Sequence, residues 1–143
     1  MGKKAIFFLI FGLILLYPAV IFFQLEALYG NSTNEEQVLQ TLNNFQISLW
    51  ISWIVMVTVA VVHKWKYRKN ILFWLIYAFL GVGFGVFGVY SQMIANYFDI
   101  TTGFHDGYTF GVLIALKNIV AAVVLTAILQ ACVWWFTRRW HRR

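Results

Sequence analysis

His63-Lys64-Trp65-Lys66-Tyr67-Arg68-Lys69 places four of the chain's eleven Lys and Arg residues in seven consecutive positions, between two long apolar runs. Side chains this strongly charged do not rest in hydrocarbon. As a short link between apolar runs they mark a loop retained on one side of a bilayer. The flanking runs, 45–62 and 71–94, are close to the roughly 20 residues that a helix needs to cross the hydrocarbon. Two more apolar runs, 5–23 and 108–136, lie outside them. The chain is therefore expected to be an all-α membrane protein, a bundle of four transmembrane helices.

The remaining charges follow the same division. Glu26, Glu35, Glu36, Asp99 and Asp106 are all the acids, and they lie between runs one and two or between runs three and four. Lys3, Lys4, Lys64, Lys66, Arg68, Lys69, Arg138, Arg139, Arg142 and Arg143 lie on the other side, leaving only Lys117 inside a run. Cytoplasmic loops carry the excess of Lys and Arg, so the pattern predicts both termini in the cytoplasm of a bacterial-type inner membrane. Aromatic residues mark the same boundaries. Trp65, Trp74, Trp134, Trp135 and Trp140 gather on the basic side and Tyr29, Tyr90, Tyr97 and Tyr108 on the acidic side, where an amphipathic ring suits the headgroup zone.

Composition agrees with this class. Hydrophobic residues make up 62% of the chain and charged ones 11%, against about 25% charged in soluble domains. In 143 residues four spans leave no room for a separate soluble domain, so 1–143 is expected to be one membrane domain. The net charge of +6 belongs to residues beside spans, which anionic inner-leaflet lipids attract; it does not point to nucleic acid. The single cysteine, Cys132, offers no intramolecular disulfide and no cysteine metal site. Lys3 and Lys4 before an apolar run resemble a signal peptide, but no cleavage motif follows, and the run is read as a retained first span.

Between runs one and two, Gln24 to Asn44 is the longest link. Within it Thr33-Asn34-Glu35-Glu36 fits a capping box, with Val38, Leu39 and Leu42 following at helical spacing. Span two is thus expected to extend outward beyond the membrane. Pro18, in the outer half of span one, removes a backbone donor and is read as a packing kink.

The densest motif is Gly81-Val82-Gly83-Phe84-Gly85-Val86-Phe87-Gly88. At about 100° per residue Gly81, Gly85, Gly88 and Gln92 share one helix face, whereas Gly83 points elsewhere. A face without side chains lets a neighbouring helix come close, and this packing is a main source of helix association in lipid. Its likeness to a nucleotide-binding glycine motif has no strand-turn-helix context. In span four Gly111, Ala115, Asn118, Ala122 and Thr126 form a second stripe of small and polar residues, and in span two Asn44, Ser48 and Ser52 form a third. These stripes are expected to line the interior of the bundle.

Lys117 is the anomaly, because a lysine at the centre of a bilayer costs about 2.5 to 3.5 kcal/mol even on the lenient scale. Three readings stand: its ammonium snorkels to the headgroups, it pairs with an acid such as Glu26, Asp99, Asp106 or one in a partner's span, or it faces a hydrated path and attracts an anion. Catalysis has little support. His105 beside Asp106 is one turn pair, His63 and His141 stand among basic residues, and His105, Asp99 and Asp106 do not by themselves make a metal site. No cofactor, metal or catalytic residue is expected. The leading expectation is a non-enzymatic interaction protein of the inner membrane, an accessory subunit, regulator or immunity-like protein that contacts another membrane protein or its own copies through helix faces. The alternative is a small homo-oligomeric channel or transporter, for an anion, with Lys117 near the path.

Overall fold

The computed structural model describes residues 2–31, 34–97 and 107–142. They form α1 (Lys3–Asn31), α2 (Glu35–Tyr67), α3 (Ile71–Tyr97) and α4 (Gly107–Trp140), and among the described residues there is no strand. Each helix contains a segment long and apolar enough to cross a bilayer. The chain is a multi-pass membrane protein. The ends of the bundle are named below by their charges, the acidic end and the basic end.

The link expected over 24–44 is mostly helical. α1 continues through Leu25, which is fully buried, and through Leu28 and Tyr29, which pack on the core; the neighbouring bundle extends the helix where apolarity alone would have ended it. α2 starts at Glu35, and its N-cap is Asn34, whose side chain accepts from the Gln37 amide at 3.4 Å. The cap thus stands one residue after Thr33. Asparagine caps at least as well as threonine, and the shift leaves Glu35 and Glu36 in the first turn, where carboxylates oppose the helix dipole. α2 ends at Arg68, whose backbone is left-handed (φ 56°) and whose amide donates to the Lys64 carbonyl at 2.8 Å. Pro18 lies inside α1, which runs on past it, and the ring is buried.

α2 is the central helix. α1 packs along it, α3 packs on another of its sides, and α4 lies against α3 with a narrower contact to α2. The core is the side of α3 carrying Leu72, Phe73, Ile76, Leu80, Phe84 and Phe87, interleaved with Leu49, Met56 and Val57 of α2. In lipid, burying these groups gains little from leaving water. Their contribution is the fit of atom against atom, which makes close approach the deciding variable.

Candidate interaction surfaces

α3 and α4 meet most closely near the acidic end. A Cβ added to Gly88 would stand 2.6 Å from both the Ala115 Cβ and the Gly111 carbonyl oxygen. One added to Gly111 would collide with the Gly88 carbonyl oxygen and come within 2.7 Å of the Gln92 Cβ. Only glycine fits at either position. The approach also lets the Gln92 side chain accept from the Gly111 amide at 2.8 Å, while its own amide nitrogen donates to Asn96 at 3.0 Å.

Gly81 and Gly85, expected on the same packing face, have nothing within 4 Å of an added Cβ. Nearer the basic end the two helices are bridged by long side chains, the Tyr77 hydroxyl donating to Gln130 at 2.9 Å. Gly83, which points elsewhere on the helical wheel, meets Leu49 of α2, whose Cδ2 would lie 2.8 Å from an added Cβ. Helical spacing separates these directions, but it carries no information on where the neighbouring axis crosses.

The stripe of α4 continues from the crossing toward the basic end. Gly111, Asn118, Ala122 and Thr126 are buried and Ala115 is half-buried. Asn118 accepts from Gln46 of α2 at 3.3 Å and donates to the Ile114 carbonyl at 2.9 Å. Thr126 accepts from the Trp53 indole at 2.8 Å and donates to the Ala122 carbonyl at 2.7 Å. Of the α2 stripe, Ser48 and Ser52 are buried and Asn44 is exposed; Ser48 donates to the Phe45 carbonyl at 2.6 Å, and the Ser52 hydroxyl has no partner among the described residues. Gln46, Trp53, Tyr77 and Gln130 complete this polar seam and were not singled out by sequence patterning. Their signal is a polar tip on an otherwise apolar face, paired with residues more than 50 positions away.

Lys117 is exposed and points away from the seam. Its neighbour Asn118 is bonded to Gln46, which adjoins Phe45; the Phe45 ring packs on Phe22 at 5.9 Å. Above that level come Gln24 and Glu26 on α1 and Asn43 and Asn44 on α2, all exposed. Lys117 therefore lies a short way below the level at which polar residues begin on α1 and α2. Asp99, His105 and Asp106 lie outside the described residues. Among the described residues no three His, Cys, Asp or Glu side chains gather at one place.

Compared with protein-family models, curated proteins and solved structures, the chain finds no match. Its surface must speak for itself. A lateral groove of about 580 Å³ opens between α1 and α3, bordered by Phe8, Gly12, Leu15, Phe79 and Val82 over a floor of Leu49 and Met56. Another, of about 530 Å³, follows the α3–α4 crossing and exposes Gly85 beside Val89, Val112 and Leu116. Both are almost entirely apolar. They are shaped for hydrocarbon or for another helix.

Proposed function

We propose that the chain is a non-enzymatic interaction protein of a bacterial-type inner membrane, with both termini cytoplasmic, acting through helix-helix contacts as an accessory subunit, regulator or immunity-like protein. The observation that carries this reading is the bare backbone at Gly81 and Gly85. The close approach of α4 occupies Gly88, while these two glycines present a small-residue surface with none of the described residues within 4 Å of an added Cβ. Small residues on a membrane helix are the usual means by which a second helix comes near. The interior supports the same reading, since Gln46, Trp53, Tyr77, Gln92, Asn118 and Thr126 are engaged with one another or with nearby backbone. On this reading Lys117 snorkels: its flexible stem carries the ammonium along the apolar surface toward the polar rim.

The test is purification of the full chain in mild detergent, with identification of co-purifying membrane proteins, for wild type and for Gly85→Leu. A stoichiometric partner that Gly85→Leu displaces, from a variant as stable as wild type, supports the proposal. A homo-oligomer whose anion flux in liposomes depends on Lys117 replaces it with the channel reading.

A further inference from the structure

The basic end holds cations that the rest of the chain does not balance. Arg68, from the link between α2 and α3, lines a pocket of about 240 Å³ together with Thr137 and Arg138 at the end of α4 and His141 and Arg142 just beyond it. No acid lies near these cations in sequence, and the described acids Glu26, Glu35 and Glu36 belong to the opposite ends of α1 and α2. Three guanidiniums around one recess repel one another unless an anion comes from outside the chain.

The backbone at Arg68 is an independent observation. It is the only described non-glycine residue with positive φ, in the position after a helix where glycine is the usual occupant. A side chain there costs about 1 kcal/mol or more relative to glycine. Arginine at this strained position lines, from the α2–α3 link, the pocket whose other walls come from the end of α4 and the residues just after it. Strain of this sort concentrates where a side chain has work to do.

The surroundings name the anion. Arg138 lies 5.1 Å over the Trp134 ring, Arg139 lies 5.0 Å over Trp135, and Trp65 packs on Trp140 at 6.3 Å across the ends of α2 and α4. These indoles place the pocket at headgroup level, where tryptophan concentrates. Guanidinium groups bind phosphate oxygens in pairs, and basic pockets between membrane helices take the headgroups of anionic phospholipids. We infer that the pocket of Arg68, Thr137, Arg138, His141 and Arg142 binds the phosphodiester headgroup of an anionic phospholipid at the basic face of the membrane. The lipid ties the α2–α3 link to the end of α4 and offsets the repulsion between them.

The test compares wild type with Arg68→Gly, Arg138→Gln and the control Lys3→Gln in phosphatidylcholine nanodiscs with and without 10 mol % phosphatidylglycerol or cardiolipin, reading bound anionic lipid by native mass spectrometry and thermal unfolding by tryptophan fluorescence. General surface attraction is worth about fivefold per cation wherever the cation sits, so it would affect all three variants alike. The pocket adds to this background and predicts a loss of anionic-lipid binding about tenfold greater for Arg68→Gly and Arg138→Gln than for Lys3→Gln. Arg68→Gly has a second signature. Freed of its strained backbone, it unfolds at higher temperature than wild type in phosphatidylcholine alone but loses the increment that anionic lipid gives wild type. Equal losses from all three variants, or an anionic-lipid increment that survives Arg68→Gly, overturn the inference. So does full competition by millimolar inorganic phosphate, which would make the ligand a soluble anion and not a lipid.

Discussion

α1 and α4 are both outer helices of the bundle, yet they are held by different physics. α4 is seated by backbone proximity at Gly88 and Gly111 and by hydrogen bonds from Gln46, Trp53 and Tyr77. α1 is held largely by rings: Phe7 on His63 and Tyr67 at 5.1 and 5.8 Å, Phe22 on Phe45 and Tyr90 at 5.9 and 5.2 Å. Edge-on ring contacts tolerate small shifts, whereas a glycine crossing and a bond into a threonine hydroxyl do not. The α3–α4 side is therefore the rigid part of the molecule. The α1–α3 side is the adaptable part, and it contains the larger groove.

The strongest attack on this contrast is a side chain at the crossing. Gly88→Leu or Gly111→Leu forces atoms into the opposite backbone and should destabilise the protein by about 3 kcal/mol or more, abolishing folded monomer in detergent. Gly81→Leu and Gly85→Leu meet open space and should stay within about 0.5 kcal/mol of wild type in the same unfolding titration. If all four variants behave alike, the crossing is misplaced.

A smaller effect belongs to Gly83, which faces a movable side chain. Gly83→Ala displaces the end of Leu49 and should cost about 1 kcal/mol, an overpacking penalty that Leu49→Ala relieves in the double variant. Additive losses would show that the two residues do not touch.

The smallest effect concerns the polar seam. Trp53→Phe keeps an aromatic body and removes the bond to Thr126, for an expected cost of about 0.6 kcal/mol in lipid. Thr126→Val removes the same bond from the other side, so the double variant should lose less than the sum. Full additivity, measured by equilibrium unfolding in one detergent, would remove that bond from the account of how α4 is held.

Much of this architecture is legible in the residues. The separation of Glu26, Glu35 and Glu36 from Lys64, Lys66, Arg138 and Arg139 marks the two ends, and apolar length marks the four helices. The buried side of α4 follows from the spacing of Gly111, Asn118, Ala122 and Thr126. What spacing does not reveal is the tilt of one helix against another. Gly81, Gly85 and Gly88 share one face of a helical wheel, and only the position at which α4 meets that face distinguishes them. Apolarity along the chain likewise does not register the helix at 24–31, where Leu25 and Tyr29 are stabilised by neighbours from the rest of the bundle. Arg68 was legible as a charge but not as a strained cap, since glycine or asparagine is the ordinary signal for that backbone.

The two ways of holding a helix also suit the order in which a ribosome delivers them. Through 5–23 the first helix has Tyr17 as its only polar side chain, so it leaves the translocon with nothing that needs a protein partner and can wait alone in lipid. α4 emerges last, carrying Asn118, Thr126 and Gln130, when Gln46, Trp53 and Tyr77 are already in the membrane to receive them. The chain thus presents its self-sufficient segment first and its dependent one only after the receptor for it has been made.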